Sequence, residues 1–229
     1  KQRAARPSPR AYSVRARAYK PAHSSAHARM GKSRRAGTHA TRAGVHSFAW
    51  RNANREGAHV ARAALHYMTG QADAGTCCPL TMTYAAIPAL AAAPGVAAEW
   101  RAKLMSRQYD PATRPVGSKS GAPLGMAMTE KQGGSDVRAN TTRADRDGDV
   151  WRLTGHKWFC SAPMSDGFLT LAQAPGGLTC FLVPRWLEGE RNAIQIMRLK
   201  DKHGNRSSAS SEIELVNTLA WQLGEEGAG

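Results

Sequence analysis

Two textures follow one another along this chain, and their order constrains its fold more than any other feature. Between Gly44 and Arg107 apolar residues recur at helical spacings. Val45, Phe48, Ala49, Val60, Ala61, Ala64, Leu65 and Met68 come first, with Arg51, Arg55 and Arg62 among them. Gly70 to Pro79 reads as a break, and helical stretches follow from about Pro79 to Leu90 and from about Val96 to Arg107. Pro94 and Gly95 separate these two, and Pro111 and Pro115 close the second. From Lys119 onward short apolar or alternating runs replace them: Leu124 to Met128, Val150 to Leu153, Phe168 to Ala172, Thr179 to Val183, Ala193 to Met197 and Ile213 to Val216. Turn signals lie between them at Gly133-Gly134, Asp147-Gly148-Asp149, Pro175-Gly176-Gly177 and Gly204-Asn205. Helices first and strands second exclude an alternating parallel-sheet architecture. The expectation is an α+β chain: a partial helical domain over 44–118, too small to stand alone, then an antiparallel β-barrel or sandwich over 119–229.

Charge divides the chain differently. Residues 1–62 hold 15 of the 32 Lys and Arg against one acid, Glu56, whereas residues 63–229 hold 17 basic and 16 acidic residues. The net charge of +15 therefore belongs to the beginning of the chain, which excludes a uniformly basic nucleic-acid-binding domain. Residues 1–42 carry twelve Lys or Arg, no Asp or Glu, three prolines and no apolar period, so a basic, poorly ordered leader is expected over 1–43. Three readings of it stay open: a solvated tail, an Arg-rich organelle transit peptide, and a non-specific, salt-dependent attachment to nucleic acid.

The longest apolar stretch, around Tyr84 to Ala93, is Ala-rich, contains Pro88 and is too short to span a membrane. Cys77, Cys78, Cys160 and Cys180 form no CxxC pair, so free thiols in a reducing, cytoplasmic setting are expected and a metal site is not. The chain starts at Lys1 and stops at Gly229 directly after the run Leu223-Gly224-Glu225-Glu226-Gly227, which predicts a fragment of a longer protein.

Two segments carry chemistry. In the first, Gly125 to Asp136, an apolar run enters a Gly-Gly loop with Thr129 on one side and Ser135 on the other. Paired glycines let backbone N–H groups approach an anion, and Ser135 donates to a phosphate oxygen. Alone this pattern is a plain turn, since neither GxxxxGK[ST] nor GxGxxG is present. In the second, Gly155 to Ser161, the aromatics Trp158 and Phe159 precede Cys160 and the hydroxyl of Ser161. Aromatics followed by a hydroxyl suit a planar ring with a polar edge; alone, they also suit an ordinary core strand.

Together and in this order the two segments resemble the acyl-CoA dehydrogenase family. Thr129, Glu130, Gly134, Ser135 and Asp136 match its T-E-x-x-x-G-S-D pattern, and Gly155, Lys157, Phe159 and Ser161 match G-x-K-x-(aromatic)-x-(T/S). Lys202 to Ser208 is similar to its K-x-G-x-R-x-S segment, and Leu223 to Gly229 to its L-G-x-E-G-x-G run. Lys131-Gln132, His156-Lys157-Trp158-Phe159, Arg198 to Lys202 and Ala74 to Thr83 resemble the AidB-type branch. The resemblance is strong over 119–229, moderate over 44–118 and slight over 1–42.

The resemblance implies an FAD enzyme that desaturates an acyl-CoA thioester between its α and β carbons, with hydride transfer to the flavin. Met126, Met128, Thr129, Gly134, Ser135, Phe159, Cys160 and Ser161 are the implied cofactor-binding residues. Thr129 and the backbone at Met128 face the pyrimidine edge, Ser135 takes the pyrophosphate and also touches the substrate, Phe159 covers the ring and Ser161 sits near N5. No catalytic residue is implied in this chain: the family's glutamate base belongs to a C-terminal helical domain, and Glu225 and Glu226 do not take that role. An acyl-CoA substrate and a homotetramer are implied for the complete protein, with this fragment inactive. The alternative is an AidB-like flavoprotein acting mainly as a DNA-associated alkylation-response protein.

Overall fold

The computed structural model describes residues 36–229, so the expectation of disorder over the first 35 residues lies outside the described residues. Residues 36–43 are helical (α1), although they belong to the stretch read as an unstructured leader. Next come α2 (Phe48–Arg51), α3 (Ala58–Ala72), α4 (Ala74–Ala89) and α5 (Pro94–Leu104). Gly57, at φ +74°, turns the chain into α3.

The break expected over Gly70 to Pro79 shrinks to one residue. Asp73 ends α3 and caps α4, accepting the Gly75 N–H at 3.0 Å and the Thr76 hydroxyl at 2.7 Å. With its first turn anchored this way, α4 continues through both Pro79 and Pro88. Ser207 reaches the same carboxylate from the far end of the sequence, 3.0 Å from Asp73 Oδ1. An added Cβ at Gly75 would collide with Ser207, so this glycine permits the close approach.

Seven strands follow: β1 (Leu124–Ala127), β2 (Arg143–Asp147), β3 (Val150–Ser161), β4 (Gly167–Ala174), β5 (Gly177–Pro184), β6 (Ile194–Leu199) and β7 (Ser210–Leu223). All six expected runs fall on strands, with Met128 just past β1 and Ala193 just before β6. β2, RADRD, was not among them: only Ala144 of its five residues is buried, so no apolar alternation marks it. It pairs with β3 across the Asp147-Gly148-Asp149 turn, with Gly148 at φ +61°.

The sheet is mostly antiparallel, and its pairings run from β1 to β3, β7, β5 and β4 and back to β1. The closing β1–β4 pairing is parallel, as is the single β2–β4 register pair, within a sheet that is otherwise antiparallel as expected. Trp151, Leu153, Phe168, Phe181, Val183, Ile213 and Leu215 fill one core cluster, with Trp151 edge-on to Phe181 at 5.5 Å. A second cluster joins the layers, packing Ala86, Leu90, Trp100 and Leu104 of the helices on Leu124, Leu169 and Leu182 of the strands. The helices thus cover a sheet face.

Candidate functional site

The two chemical segments meet beyond the end of β1. Met126 pairs with Ser161 across the sheet, and the Trp158 N–H donates to the Thr129 carbonyl at 2.8 Å. Everything else at this end is arranged around one buried carboxylate.

Glu130 is 3% exposed and accepts five hydrogen bonds. Its Oε1 takes the Lys157 ammonium at 2.7 Å, the Thr142 hydroxyl at 2.6 Å and the Thr142 N–H at 3.1 Å. Its Oε2 takes the Thr141 N–H at 2.6 Å and the Thr141 hydroxyl at 2.9 Å. Burial alone would raise this carboxyl, but Lys157, Thr142 and Thr141 outweigh it and hold the pKa near 2. The fully buried Lys157 completes its shell on the Leu171 carbonyl at 2.7 Å. Gly155 belongs to the same unit, because a Cβ there would lie 2.7 Å from Thr142 Cα and push away the threonine that serves Glu130. The Glu of the first pattern and the Gly and Lys of the second therefore build the floor of the site rather than its binding surface. Sequence reasoning left their roles unassigned, yet a signal existed: Lys157 follows Trp151, Leu153 and Gly155 at period two, and an inward lysine requires a buried acceptor.

Above this floor the loop is tied from several sides. Asn140 donates to the Met128 carbonyl at 2.9 Å, and Gln132, one of the branch-type residues, donates to Asn140 Oδ1 at 3.0 Å. Gln173 of β4 holds the Arg138 and Asn140 carbonyls, each at 3.0 Å. Gly133 takes φ +122°, and a Cβ on Gly134 would meet Thr129 Oγ1 at 2.9 Å. Bare backbone is thus required beside Thr129.

A β-bulge shapes the other side. Lys157 pairs with Ile213 and Cys160 with Ser211, so β3 carries one residue more than β7 over this span. Lys157 and Cys160 both point into the core, while the extra residue brings Trp158 and Phe159 consecutively to the outside, Phe159 with 40% of its surface exposed. Cys160 was expected among the cofactor contacts, but its thiol is buried in the core cluster and burial pushes its pKa up to about 12, leaving only its backbone on the site side. Met126, Met128, Thr129 and Ser161 are half-buried, and Gly134 and Ser135 are exposed. The hydroxyls of Thr129, Ser135 and Ser161 have no hydrogen-bond partner among the described residues. One rim thus gathers three free hydroxyls, a glycine pair and a half-exposed aromatic ring. It suits a planar heteroaromatic group with a polar edge and an attached phosphate.

The two remaining patterns do structural work elsewhere. Lys202 reaches Ser210 Oγ at 3.1 Å, Arg206 folds back on the Lys202 carbonyl at 2.7 Å, and Ser207 docks on α4. Glu226 accepts the Gly176 N–H at 2.9 Å and steadies the β4–β5 turn. A cavity of about 350 Å³ lies near the starts of β1 and β4, lined by Leu80, Thr83, Leu104, Tyr109, Asp166 and Arg185 among others, and none of the expected cofactor residues borders it. All four cysteines are free, no metal-ligand cluster occurs among the described residues, and no described helix is long and apolar enough to cross a membrane.

Residues 15–111 match the family described as adaptive response protein AidB, N-terminal domain, and residues 125–218 match acyl-CoA dehydrogenase, middle domain. The first match begins well before Gly44, so the likeness extends into the stretch whose resemblance the motifs left slight. AidB of Escherichia coli strain K12 is 54% identical over 189 residues, covering 81% of this chain and 35% of that protein. Acyl-CoA dehydrogenase family member 11 of Caenorhabditis elegans is 34% identical, over 66% of this chain and 26% of that one. The solved structure of C. elegans ACDH-11 in complex with C11-CoA superposes with a TM-score of 0.75 at 29% identity, over 86% of this chain and 35% of its own. Butyryl-CoA dehydrogenase of Megasphaera elsdenii shares the fold at a TM-score of 0.67 and 15% identity, over 92% of this chain and 61% of its own. The chain spans about a third or less of the length of these two curated relatives.

Proposed function

Because this chain belongs to the acyl-CoA dehydrogenase family, in its AidB-type branch, we propose that residues 119–229 form the flavin-binding unit of an oxidoreductase acting on acyl-CoA thioesters, with 44–118 as its helical partner. One observation carries this reading: the two segments join at one rim, through the Trp158 to Thr129 hydrogen bond of 2.8 Å, with their hydroxyls free. When bound, FAD supplies the chemistry, accepting the hydride from the β-carbon of the substrate.

The chain's own residues bind and orient. Thr129 and the backbone at Met128 would hold the pyrimidine edge, and the glycine pair and Ser135 would hold the pyrophosphate. Phe159 would cover the ring, with Met126 also contributing to the site. Ser161 would lie near N5, and Cys160 would contribute backbone alone. Glu130 does not serve as the base, since Lys157 and the two threonines already occupy both of its oxygens. The proton-abstracting carboxylate is supplied from outside these 229 residues, and the substrate class is an acyl-CoA, as in the ACDH-11 complex.

Titrating the 229-residue chain with FAD, followed by flavin fluorescence, tests this reading. Weak, saturable binding is expected, about tenfold weaker in Ser161→Ala or Thr129→Val, a loss of about 1.4 kcal/mol for one hydrogen bond in each case. Absence of flavin binding even in the protein as its gene encodes it would sink the reading. Bleaching of the flavin by an acyl-CoA in the 229-residue chain alone would show that the base lies within it.

A further inference from the structure

The bulge in β3 puts two neighbouring rings on one outer face, where solvent alone would leave them free to turn. They are not free. Lys200, just beyond β6, places its ammonium 3.4 Å from the centroid of the Trp158 ring and 4.6 Å from that of Phe159. Its position is set by Glu212 of β7, whose Oε1 takes Lys200 Nζ at 2.9 Å and Arg198 Nη2 at 2.6 Å. Two cations share one carboxylate, so one net positive charge stands against the aromatic pair. Lys200 is the desolvated member: its side chain is 9% exposed, whereas that of Arg198 is 63% exposed and lies 5.7 Å from the Trp158 centroid. A cation so placed is held by the negative faces of both rings, and partial burial strengthens its field. Phe159 keeps 40% of its surface exposed, open to receive a planar group.

Resting on the flavin reading above, we propose that Lys200 is a positioning residue of the flavin site: it locks Trp158 and Phe159 in the pose that receives the ring and lends that ring a positive field favouring its reduced, anionic form. Glu212 and Arg198 hold it in place. Lys200 itself touches neither cofactor nor substrate in this assignment, so its effect travels through the two aromatics and through space.

The test compares Lys200→Met and Lys200→Arg in the FAD-loaded protein as its gene encodes it, reading the midpoint potential and the FAD affinity separately. Lys200→Met is expected to make the reduced flavin tenfold less favoured, a shift of about 30 mV to more negative potential for a two-electron couple. Lys200→Arg, which keeps the charge, is expected to stay close to wild type. An unchanged potential in Lys200→Met overturns the tuning, even if FAD binds more weakly, because weaker binding alone is what a packing role predicts. A second arm needs no flavin: a double-mutant cycle of Lys200→Met with Trp158→Leu, read by urea denaturation of the same protein. Non-additive losses support the clamp, and strictly additive ones overturn it. Should the wild-type protein take up no FAD, the flavin reading and the tuning fall together while the cycle still decides the positioning.

Discussion

Among the described residues, the two most deeply buried lysine–carboxylate pairs solve the same problem unequally. Beneath the candidate flavin rim, Glu130 meets Lys157 and four further donors from Thr141 and Thr142. Beside the cavity at the starts of β1 and β4, Asp166 meets Lys119 at 2.6 Å, and the same ammonium is shared with the Ala112 carbonyl at 2.7 Å. The side chains of both pairs are at most 4% exposed. Burial pushes each carboxyl upward. At Glu130 the donors win and the pKa falls near 2, whereas at Asp166 burial wins over Lys119 and the pKa rises. The number of donors, more than the ion pair itself, decides whether a buried carboxylate is settled.

The largest expected effect follows directly. Lys157→Met leaves a carboxylate with four neutral donors and no countercharge, and it is expected to cost about 4 kcal/mol in urea denaturation, the range for breaking a buried pair from one side. Because Glu130 and Gly155 form the floor under Thr129 and Trp158, FAD binding should fall with it. Lys119→Met is expected to cost less, about 2 kcal/mol, since an aspartate whose pKa is already raised sheds its charge by taking a proton. FAD binding should survive this second change. Equal losses in the two variants would erase the distinction drawn between the pairs.

Very little of this contrast is legible in the sequence, although much of the fold is. The order of helices and strands was readable because apolar period and turn residues act locally, and each of the six apolar runs falls on a strand to within one residue. What escaped is what local pattern does not encode. β2 has one inward residue, Ala144, and is a strand only because β3 offers it a partner. The Gly70 to Pro79 stretch carries breaker residues, but Asp73 caps α4 so closely that two helices abut there. The parallel closure of β1 on β4 joins segments about forty residues apart and follows from the sheet as a whole. At the candidate site, the motifs singled out two segments that the fold joins, without separating floor from rim. Glu130 and Thr129 are adjacent, as are Phe159 and Cys160, yet the first of each pair differs from the second in facing core or solvent. In β3 it was the bulge that sorted them, and an inserted residue leaves no mark on composition.

The smallest expected effect discriminates most finely, because the two carboxylates should answer acid with opposite signs. Glu130 has a folded pKa near 2 against an ordinary value of 4.5, so its stabilisation is complete above about pH 4.5 and is lost as pH falls through about 2. Asp166 has a folded pKa raised above its ordinary 3.8, so the folded state binds the proton more tightly than the unfolded chain. Its contribution is greatest below 3.8 and declines as pH rises through the raised value. Stability measured by denaturant at a series of pH values, for wild type against Glu130→Gln and Asp166→Asn, isolates each term as a difference curve. The Glu130 curve should fall toward acid and the Asp166 curve should climb toward acid. Two curves of the same sign would mean that donor number does not govern these sites, and that the shared ion pair sets both.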